Sequence, residues 1–318
     1  MNILLTGGAG FIGSNIAKTI LADNRIAKVR VIDNFSTGYH QNLEEIKDHP
    51  KFELFEGDIT DYPTCCQAMK GMDIVCHQAA LGSVPRSIND PIATNNANIN
   101  GTLNIFTAAK EAGIKRIVYA ASSSTYGDSK SLPKTEDTIG RPLSPYAVTK
   151  YVMELYADVF AKTYGMEFIG LRYFNVFGPC QSPKGAYAAV IPLFMDAVIK
   201  NEPPTINGDG SYSRDFTFVD NVVQANIKAL FTENKNAVNQ VYNIAFGQST
   251  TLLQLFDSIK EIAGVTLNPL FGEFRVGDIP HSLANIDKAK KLLGYDPAIS
   301  VHEGLKIAFD WYKKNRSV

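Results

Sequence analysis

The sequence is poor in cysteine and tryptophan. Cys65, Cys66, Cys76 and Cys180 are its four cysteines, and Trp311 is its single tryptophan among 318 residues. The cysteine spacing matches neither a zinc site nor a disulfide framework. We therefore interpret the cysteines as reduced core residues and the tryptophan as a packing residue, and we expect no bound metal.

The chain also lacks an excess of charge of either sign. Its 31 basic and 32 acidic residues give a formal net charge of −1, and no basic run argues for a nucleic-acid surface. No apolar run approaches the ~20 residues that a membrane-spanning helix needs. The chain enters an apolar strand directly after Met1, without the basic region of a signal peptide. We expect a cytoplasmic protein that binds neither nucleic acid nor a membrane.

A glycine-rich segment follows the first apolar strand, which we place at residues 3–6. Gly7, Gly10 and Gly13 stand at the start of the next helix. Gly8, Gly10 and Gly13 fit the pattern G-x-G-x-x-G. Glycines permit a tight turn there and let the backbone approach a pyrophosphate at the helix N-terminus. The segment therefore predicts a dinucleotide site.

The next strands end in acidic or small residues. Asp33 lies about twenty residues past the last glycine, where a carboxylate accepts hydrogen bonds from the ribose 2′-hydroxyl and repels a 2′-phosphate. This position favours NAD over NADP. Asp58 ends the following strand and can either contact adenine or cap the next helix. Ala79 and Ala80 follow the fourth strand and leave room for a cofactor to lie close.

Polar residues mark the next helix and the next strand. Asn98 and Asn100 lie near the start of a helix predicted at 95–112, and each can bind a neighbouring loop or cap the helix. A strand predicted at 114–120 precedes the hydroxyl run 122–124. Ligands of open α/β sheets bind beyond the carboxyl ends of strands, so this run is a candidate site. A serine run is also common in ordinary loops.

A tyrosine and a lysine stand four residues apart at the start of a long predicted helix. Ser144 can cap its first amides, Pro145 suits its first turn, and the helical pattern continues to Tyr164. Tyr146 and Lys150 then share one face. An ammonium beside a phenol favours the phenolate, so the tyrosine could act as a base near neutral pH.

Together these features resemble the extended short-chain dehydrogenase/reductase superfamily. Within it, the chain is most similar to NAD-dependent nucleotide-sugar epimerases, and closest to bacterial UDP-N-acetylglucosamine 4-epimerases. The stretches that carry this resemblance are HQAALGSVPRS at 77–87, AASSSTYG at 120–127 and LRYFNVFG at 171–178. The resemblance covers nearly the whole chain.

The strand and helix alternation and this resemblance predict an α/β fold. We expect a doubly wound parallel Rossmann sheet in residues 1–176, with a return segment at about 215–245. A smaller mixed α/β substrate-binding domain, 177–318, is interleaved with it. Family analogy further implies a homodimer through helices 95–112 and 144–164.

The resemblance implies a mechanism and a set of site residues. Tyr146 removes the proton of the sugar 4-hydroxyl, Ser122 bridges by a hydrogen bond, and Lys150 lowers the tyrosine pKa and binds the nicotinamide ribose. Hydride passes from C4 of the sugar to NAD and returns to the other face of a 4-keto intermediate. The expected NAD-binding residues are Gly7, Gly10, Phe11, Ile12, Gly13, Asp33, Asn34, Ser36, Thr37, Gly38, Asp58, Ile59, Gln78, Ala79, Ala80, Asn98, Tyr146, Lys150 and Tyr173. The expected UDP-sugar-binding residues are Ser83, Arg86, Ser123, Ser124, Asn175, Ala189, Val190, Arg214, Arg275 and Ser282.

Several related activities compete with this interpretation. A sugar 4,6-dehydratase carries an Asp-Glu pair directly after the catalytic hydroxyl residue, and a sugar-nucleotide decarboxylase usually keeps the glutamate. Ser123 and Ser124 stand there instead, which disfavours both. By the same resemblance, Ser282 matches the position that limits pocket size, and a small residue there favours UDP-GlcNAc and UDP-GalNAc over UDP-Glc and UDP-Gal by about 1–3 kcal/mol. UDP-glucose 4-epimerisation stays an alternative, as does UDP-glucuronate 4-epimerisation, because Arg86 or another basic group could meet the glucuronate carboxylate. A catalytically silent NAD-binding protein is disfavoured because Tyr146 and Lys150 are both present.

Overall fold

The computed structural model describes residues 1–184, 188–274 and 279–315. Within them, the strands are β1 Asn2–Thr6, β2 Lys28–Asp33, β3 Phe52–Glu56, β4 Ile74–His77, β5 Arg116–Ser122, β6 Glu167–Tyr173, β7 Val176–Phe177, β8 Thr205–Asn207, β9 Ser213–Arg214, β10 Thr217–Phe218, β11 Gln240–Ile244, β12 Thr250–Thr251 and β13 Leu270–Gly272. The helices are α1 Phe11–Leu21, α2 Tyr62–Met69, α3 Val84–Asn89, α4 Pro91–Asn95, α5 Gly101–Glu111, α6 Pro145–Tyr164, α7 Val190–Lys200, α8 Val219–Phe231, α9 Leu252–Ala263, α10 Asp287–Leu293 and α11 Val301–Lys314.

Seven parallel strands form the central sheet, in the order β11-β6-β5-β4-β1-β2-β3. The chain order reverses between β1 and β4, which creates the crevice where ligands of doubly wound sheets bind. The predicted α/β Rossmann fold is confirmed. The division into two interleaved domains stays a prediction, and β11 lies within the proposed return segment.

The sheet is buried on both faces, because successive side chains of each strand point to opposite sides. Along β1, Ile3 and Leu5 belong to the core cluster that also contains α1 and α8 residues. Leu4 faces the other cluster, where Phe106, Phe160 and other aromatic residues pack between α5, α6 and the sheet. Helices on both faces thus hold the strand ends at fixed positions.

The α6 helix forms as its sequence predicts. The Ser144 hydroxyl accepts a hydrogen bond from the backbone N–H of Ala147 at 3.1 Å, and Pro145 occupies the first turn. Gly165 ends the helix in the left-handed conformation, with φ 66°. Tyr146 and Lys150 therefore lie in its first two turns.

The helix predicted at 95–112 begins earlier than expected. Asp90 caps α4 through the N–H of Ala93, and Pro91 sets its first turn. The chain then continues through a π-helical turn, Asn96–Asn100, into α5. Such turns insert an extra residue and are frequent at functional sites.

The remaining elements form smaller sheets and helices. β7 pairs with β10 and β8 with β13 in parallel, whereas β9 pairs with β12 in antiparallel orientation. Phe194 of α7 packs edge to face against Phe256 of α9. In the described parts of the chain, none of the helices combines the length and apolar character that crossing a membrane requires.

Candidate active site

A cavity of about 970 Å³ opens at the carboxyl ends of the central strands. Most of the residues predicted to bind a cofactor or substrate line it. They are Gly7, Gly10, Phe11, Ile12, Gly13, Asp33, Asn34, Ser36, Thr37, Gly38, Asp58, Ile59, Gln78, Ala79, Ala80, Ser83, Arg86, Ser122, Tyr146, Lys150, Tyr173, Asn175 and Ala189.

The glycine segment forms a tight cradle at one end of this cavity. A Cβ on Gly13 would lie 2.1 Å from the Gly7 carbonyl oxygen, and a Cβ on Gly7 would lie 2.7 Å from the Ala79 backbone. Gly10 lies at the N-cap of α1, whose first turn has neither a side-chain cap nor an acidic residue. Free N–H groups and the helix dipole there suit the pyrophosphate of a dinucleotide.

Asp33 secures the glycine segment and also reaches the cavity. Its carboxylate accepts hydrogen bonds from the N–H groups of Ala9 and Phe35, each at 2.9 Å. Burial raises the pKa of Asp33, and these backbone hydrogen bonds act in the opposite direction. The carboxylate thus stands at the end of β2, next to the N-terminus of α1.

Asp58 lines the cavity one strand further along. It accepts hydrogen bonds from the Asn34 amide at 2.8 Å and the Thr60 N–H at 2.7 Å. Asp61, and not Asp58, caps α2 through the N–H of Thr64. The helix-cap interpretation of Asp58 is therefore wrong.

A buried polar network forms the floor of the cavity. The Thr6 hydroxyl accepts hydrogen bonds from the N–H groups of Gln78 and Ala79 and lies 2.7 Å from Nδ1 of His77. Burial lowers the pKa of His77 to about 3, so its imidazole stays neutral. Thr6 therefore holds the backbone of Gln78 and Ala79, and both of these residues line the cavity.

Tyr173 connects the floor to the last strands of the sheet. Its hydroxyl donates to Oε1 of Gln78 at 2.9 Å and accepts from Nδ2 of Asn226 at 2.8 Å. Asn226 is fully buried on α8. The sequence pattern around Asn226 gave no signal of this role, since helical spacing alone places it among core residues.

Ser122, Tyr146 and Lys150 come together on one wall. Burial raises the pKa of Tyr146, and a hydrogen bond with the Ser122 side chain acts in the opposite direction. The Lys150 ammonium donates to the Ala120 carbonyl at 2.7 Å and lies 5.9 Å from the centre of the Tyr146 ring. Burial lowers the pKa of Lys150 to about 8. The expectation that Lys150 lowers the tyrosine pKa stays a prediction, and the Ser122 hydrogen bond is one contact that acts in that direction.

Other residues predicted to bind cofactor or substrate do not line the cavity. Asn98 is fully buried and exchanges hydrogen bonds with the N–H and carbonyl of Leu81. It therefore holds a neighbouring loop, which is one of the two roles its position predicts. Asn100 instead donates to Oδ1 of Asn96 within the same turn.

The predicted substrate residues of the second half are also mostly displaced from the cavity. Arg214 donates to the carbonyls of Ser213 and Pro280, and the Ser282 N–H donates to the Ser213 carbonyl at 3.1 Å. Six residues predicted to bind cofactor or substrate are absent from the described lining of the cavity: Asn98, Ser123, Ser124, Val190, Arg214 and Ser282. Arg275 lies outside the described residues.

The cavity is also lined by residues that the sequence motifs did not predict. Cys180, Gln181 and Lys184 line it, in the segment that follows β7. The Tyr312 hydroxyl, from α11, donates to the Gln181 carbonyl at 2.6 Å and fixes this segment. Nothing in the local sequence predicts that contact, because the two residues are 131 positions apart. Among the described residues, no group of histidine, cysteine and carboxylate side chains is arranged to hold a metal ion.

Solved structures of UDP-sugar 4-epimerases are similar to this chain over nearly its whole length. A UDP-N-acetylglucosamine 4-epimerase from Methanobrevibacter ruminantium, solved with UDP-N-acetylmuramic acid, is 38% identical with a TM-score of 0.93 over 98% of both chains. A UDP-glucose 4-epimerase from Thermotoga maritima, solved with UDP-glucose, is 36% identical with a TM-score of 0.93 over 100% of both chains. A UDP-glucuronic acid 4-epimerase from Bacillus cereus, solved with UDP-glucuronic acid and NAD, is 31% identical with a TM-score of 0.92 over 99% of both.

The family comparison covers the sheet and the cavity. The NAD dependent epimerase/dehydratase family matches residues 3–245, from β1 to the residue after β11. This span includes the glycine cradle, Asp33 and the wall formed by Ser122, Tyr146 and Lys150. The chain therefore belongs to the NAD-dependent epimerase/dehydratase family of extended short-chain dehydrogenases/reductases.

Proposed function

We propose that this chain is an NAD-dependent UDP-N-acetylglucosamine 4-epimerase. It interconverts UDP-GlcNAc and UDP-GalNAc through a transient 4-keto sugar and also accepts UDP-Glc and UDP-Gal. The observation that carries the proposal is the convergence of Ser122, Tyr146 and Lys150 on one cavity with the glycine cradle and Asp33. A proton-transfer group and a dinucleotide site thus share one chamber.

The reaction uses the side chains of this wall. Tyr146, as phenolate, takes the proton of the sugar 4-hydroxyl, and Ser122 donates a hydrogen bond to the phenolate oxygen. Lys150 adds positive charge near the ring and offers N–H donors to the cofactor ribose. When bound, NAD supplies the reversible oxidation of the sugar at C4. On return, Tyr146 gives its proton back to the reduced oxygen.

The position of carboxylates in the cavity argues against dehydration. Asp33 and Asp58 are the carboxylates among its described lining residues. Asp33 ends β2 and Asp58 follows β3, which lie three and four strands from Ser122 at the end of β5. At about 4.8 Å per strand, this separation is roughly 14–19 Å. Elimination of water across C5 and C6 needs an acid and a base near C6, which this arrangement does not provide.

The choice of sugar is argued from the relatives and from Ser282 and Arg86. Relatives of similar identity act on N-acetylglucosamine, glucose and glucuronic acid forms of the UDP-sugar. Small Ser282 supports the N-acetyl sugar by analogy, although it lies on the segment paired with β9 and not on the described wall. UDP-glucuronate 4-epimerisation is the second candidate, since Arg86 lines the cavity and could bind a carboxylate.

The remaining site assignments belong to the same proposal. Asn175, Arg214 and Arg275 bind the diphosphate, with Ser83 and Ala189 beside the sugar. Asn175 lines the cavity with φ 34°, and its amide donates to the Asp215 carbonyl at 3.1 Å. Arg214 lies in a strand next to that residue. Its side chain would need to turn from the Ser213 carbonyl toward the substrate.

We also propose that two copies pair through α6 and its neighbours. Val148, Leu155 and Val159 form an exposed apolar stripe on α6, and Ile88 and Ile92 are exposed on α3 and α4. Such a stripe on a long helix is a suitable surface for a second copy. The proposal includes a cytoplasmic location, which agrees with the four free cysteines.

A substrate panel tests the proposal. The protein is incubated separately with UDP-GlcNAc, UDP-Glc and UDP-glucuronate, and NMR monitors inversion at C4. We expect the highest kcat/KM with UDP-GlcNAc. Preference for UDP-glucuronate would replace the proposed substrate, and no inversion of any of the three would overturn the epimerase assignment.

A further inference from the structure

The Ser124 side chain is hydrogen bonded to Ser122, which lines the cavity together with the proposed base, Tyr146, and whose hydrogen bond acts to lower the Tyr146 pKa. Both its backbone N–H and its Oγ lie within hydrogen-bond distance of Ser122 Oγ, at 3.1 and 2.8 Å. Ser124 does not line the cavity, unlike Ser122 and Tyr146. Its contact with the site therefore passes through Ser122.

The turn that carries these serines is fixed by further hydrogen bonds. Ser122 caps the short 3₁₀ segment Ser123–Tyr126, and the Thr125 hydroxyl donates to the Ser122 carbonyl at 2.7 Å. The buried Tyr126 hydroxyl donates to Oδ1 of Asn243 on β11 at 2.6 Å. These hydrogen bonds fix the turn, so the Ser124 hydroxyl is held beside Ser122.

Proton counting determines the direction of these hydrogen bonds when Tyr146 is ionised. A serine hydroxyl has one proton to donate and two lone pairs that accept. A phenolate has no proton, so Ser122 must donate its single proton to Tyr146. Both contacts with Ser124 must then be donations from Ser124 to Ser122 Oγ. With a neutral phenol, the hydroxyl protons can instead point the other way.

We propose that Ser124 is a positioning residue that makes Ser122 a hydrogen-bond donor to the Tyr146 phenolate. The relay runs from the Ser124 hydroxyl to Ser122 and from Ser122 to Tyr146. The direct substrate contact expected for Ser124 from the resemblance stays a separate prediction. The inference rests on the proposed function only in taking Tyr146 as the base, since the hydrogen bonds themselves belong to the free chain.

Loss of the Ser124 hydroxyl should disfavour the phenolate. Ser124→Ala keeps the backbone donor but removes one of the two bonds that polarise Ser122, so the pKa of Tyr146 should rise. One hydrogen bond of ordinary strength corresponds to an upward shift of about 0.5 to 1 pH unit. Turnover should fall several-fold on the acidic side and recover at high pH, where the tyrosine ionises regardless.

Other ionisable groups near Tyr146 remain in place in this variant. Lys150 and Glu154 lie on α6 itself, and His77 lies on β4. Arg86 lies on α3, and Arg172 and Tyr173 lie on β6, both packed against α6. None of these residues is a partner in the two contacts between Ser124 and Ser122. A shift confined to Ser124→Ala therefore reports on the relay.

The experiment follows Tyr146 ionisation directly, without need of turnover. The protein is labelled at the tyrosine ring carbon that bears oxygen, and NMR titrations are run with pH. The Tyr146 signal is identified by its loss in Tyr146→Phe. Ser123→Ala is the matched control, because the neighbouring Ser123 contributes neither contact, and Ser124→Thr restores a hydroxyl. The pH profile of UDP-hexose turnover is measured on the same variants.

We expect Ser124→Ala to raise the Tyr146 pKa, and Ser124→Thr and Ser123→Ala to leave it near that of the original protein. In a Ser122→Ala background, Ser124→Ala should have no further effect, since the relay is already broken. Coincident titrations of Ser124→Ala and the original protein would overturn the relay, as would an equal shift in Ser123→Ala. A shift without turnover of any UDP-hexose would retain the relay and reject the proposed function.

Discussion

At the scale of single residues, the wall of the cavity holds ionisable groups where charge is costly. Lys150 is buried and Tyr146 is half-buried, and loss of solvent shifts both pKa values in the direction that favours the neutral forms. Each keeps a polar partner, Ser122 for the tyrosine and the Ala120 carbonyl for the lysine. Perturbed groups of this kind, converging on a cavity, are typical of catalytic sites.

Lys150→Met should abolish turnover and increase the stability of the fold. Burial lowers the pKa of Lys150 to about 8, whereas the unfolded chain keeps the ordinary value of about 10.4. The charged lysine therefore destabilises the fold below about pH 8, and this penalty fades as the pH rises to about 10.5. We expect the variant to lose turnover and to gain roughly 1–2 kcal/mol in free energy of unfolding at pH 7.

Urea unfolding at pH 7 and pH 10 measures this effect. The stability difference between Lys150→Met and the original protein should narrow at the higher pH. A variant that is less stable at both pH values would contradict this account of the lysine.

Residues of the site differ in how far sequence alone could identify them. Gly13, Asp33 and Tyr146 belong to short patterns whose spacing carries the chemistry, so each was predictable. The partner of Asn98 was not predictable, because Asn98 lies in a π-helical turn that the sequence pattern does not indicate and Leu81 is 17 residues away. Lys184 was missed because nothing in its segment indicates which side faces the cavity.

At the scale of elements, close backbone contacts hold the glycine segment against the neighbouring strands. Gly13→Ala would place a methyl group 2.1 Å from the Gly7 carbonyl oxygen, so the first turn of α1 must move. We expect a loss of about 1–3 kcal/mol in stability and weaker NAD binding. A Cβ on Gly82 meets no atom within 4 Å, and Gly82→Ala is the matched control.

Thermal unfolding and NAD titration check this prediction. Gly82→Ala should stay within about 0.5 kcal/mol of the original protein and keep its NAD affinity. Equal stability and NAD affinity of Gly13→Ala and Gly82→Ala would contradict the prediction that the glycine segment requires the close backbone contact at Gly13.

A buried ion pair joins α6 to β6 behind the wall. The Arg172 guanidinium donates to both oxygens of Glu154 at 2.9 and 2.7 Å, and the two side chains are 4% and 7% exposed. Removal of one partner leaves an uncompensated buried charge. We expect Arg172→Met to lower the free energy of unfolding by about 3–5 kcal/mol.

The double variant Arg172→Met with Glu154→Leu provides the control. Because it removes both charges, it should recover a large part of the lost stability in chemical denaturation. A double variant as unstable as Arg172→Met alone would show that packing, and not charge, dominates this contact.

Element prediction from sequence succeeded where local chemistry decides the structure. The ends of α6 follow from Ser144, Pro145 and Gly165, which act on the adjacent backbone. The true start of the helix predicted at 95–112 depends on Asp90 and Pro91, and the periodic pattern alone placed it too late. The position of β11 in the central sheet could not be predicted locally, because it is set by pairing with β6, some seventy residues earlier.

At the scale of the whole molecule, the exposed stripe on α6 predicts association. Val159 is 52% exposed on this stripe, so Val159→Asp should convert the proposed dimer into a monomer. Ile307 on α11 is 43% exposed away from the stripe, and Ile307→Asp should leave the mass unchanged. Analytical ultracentrifugation compares the three proteins. A monomeric original protein, or equal effects of both variants, would contradict the proposed pairing.

The central claim joins a proton-transferring tyrosine to a dinucleotide-binding cavity, and its most direct test combines both. UDP-GlcNAc is incubated with the original protein and with Tyr146→Phe, with NMR detection of UDP-GalNAc and separate measurement of bound NAD. We predict conversion by the original protein and a loss of at least about 10²-fold in the variant, with NAD binding retained. Undiminished conversion by Tyr146→Phe would contradict the account.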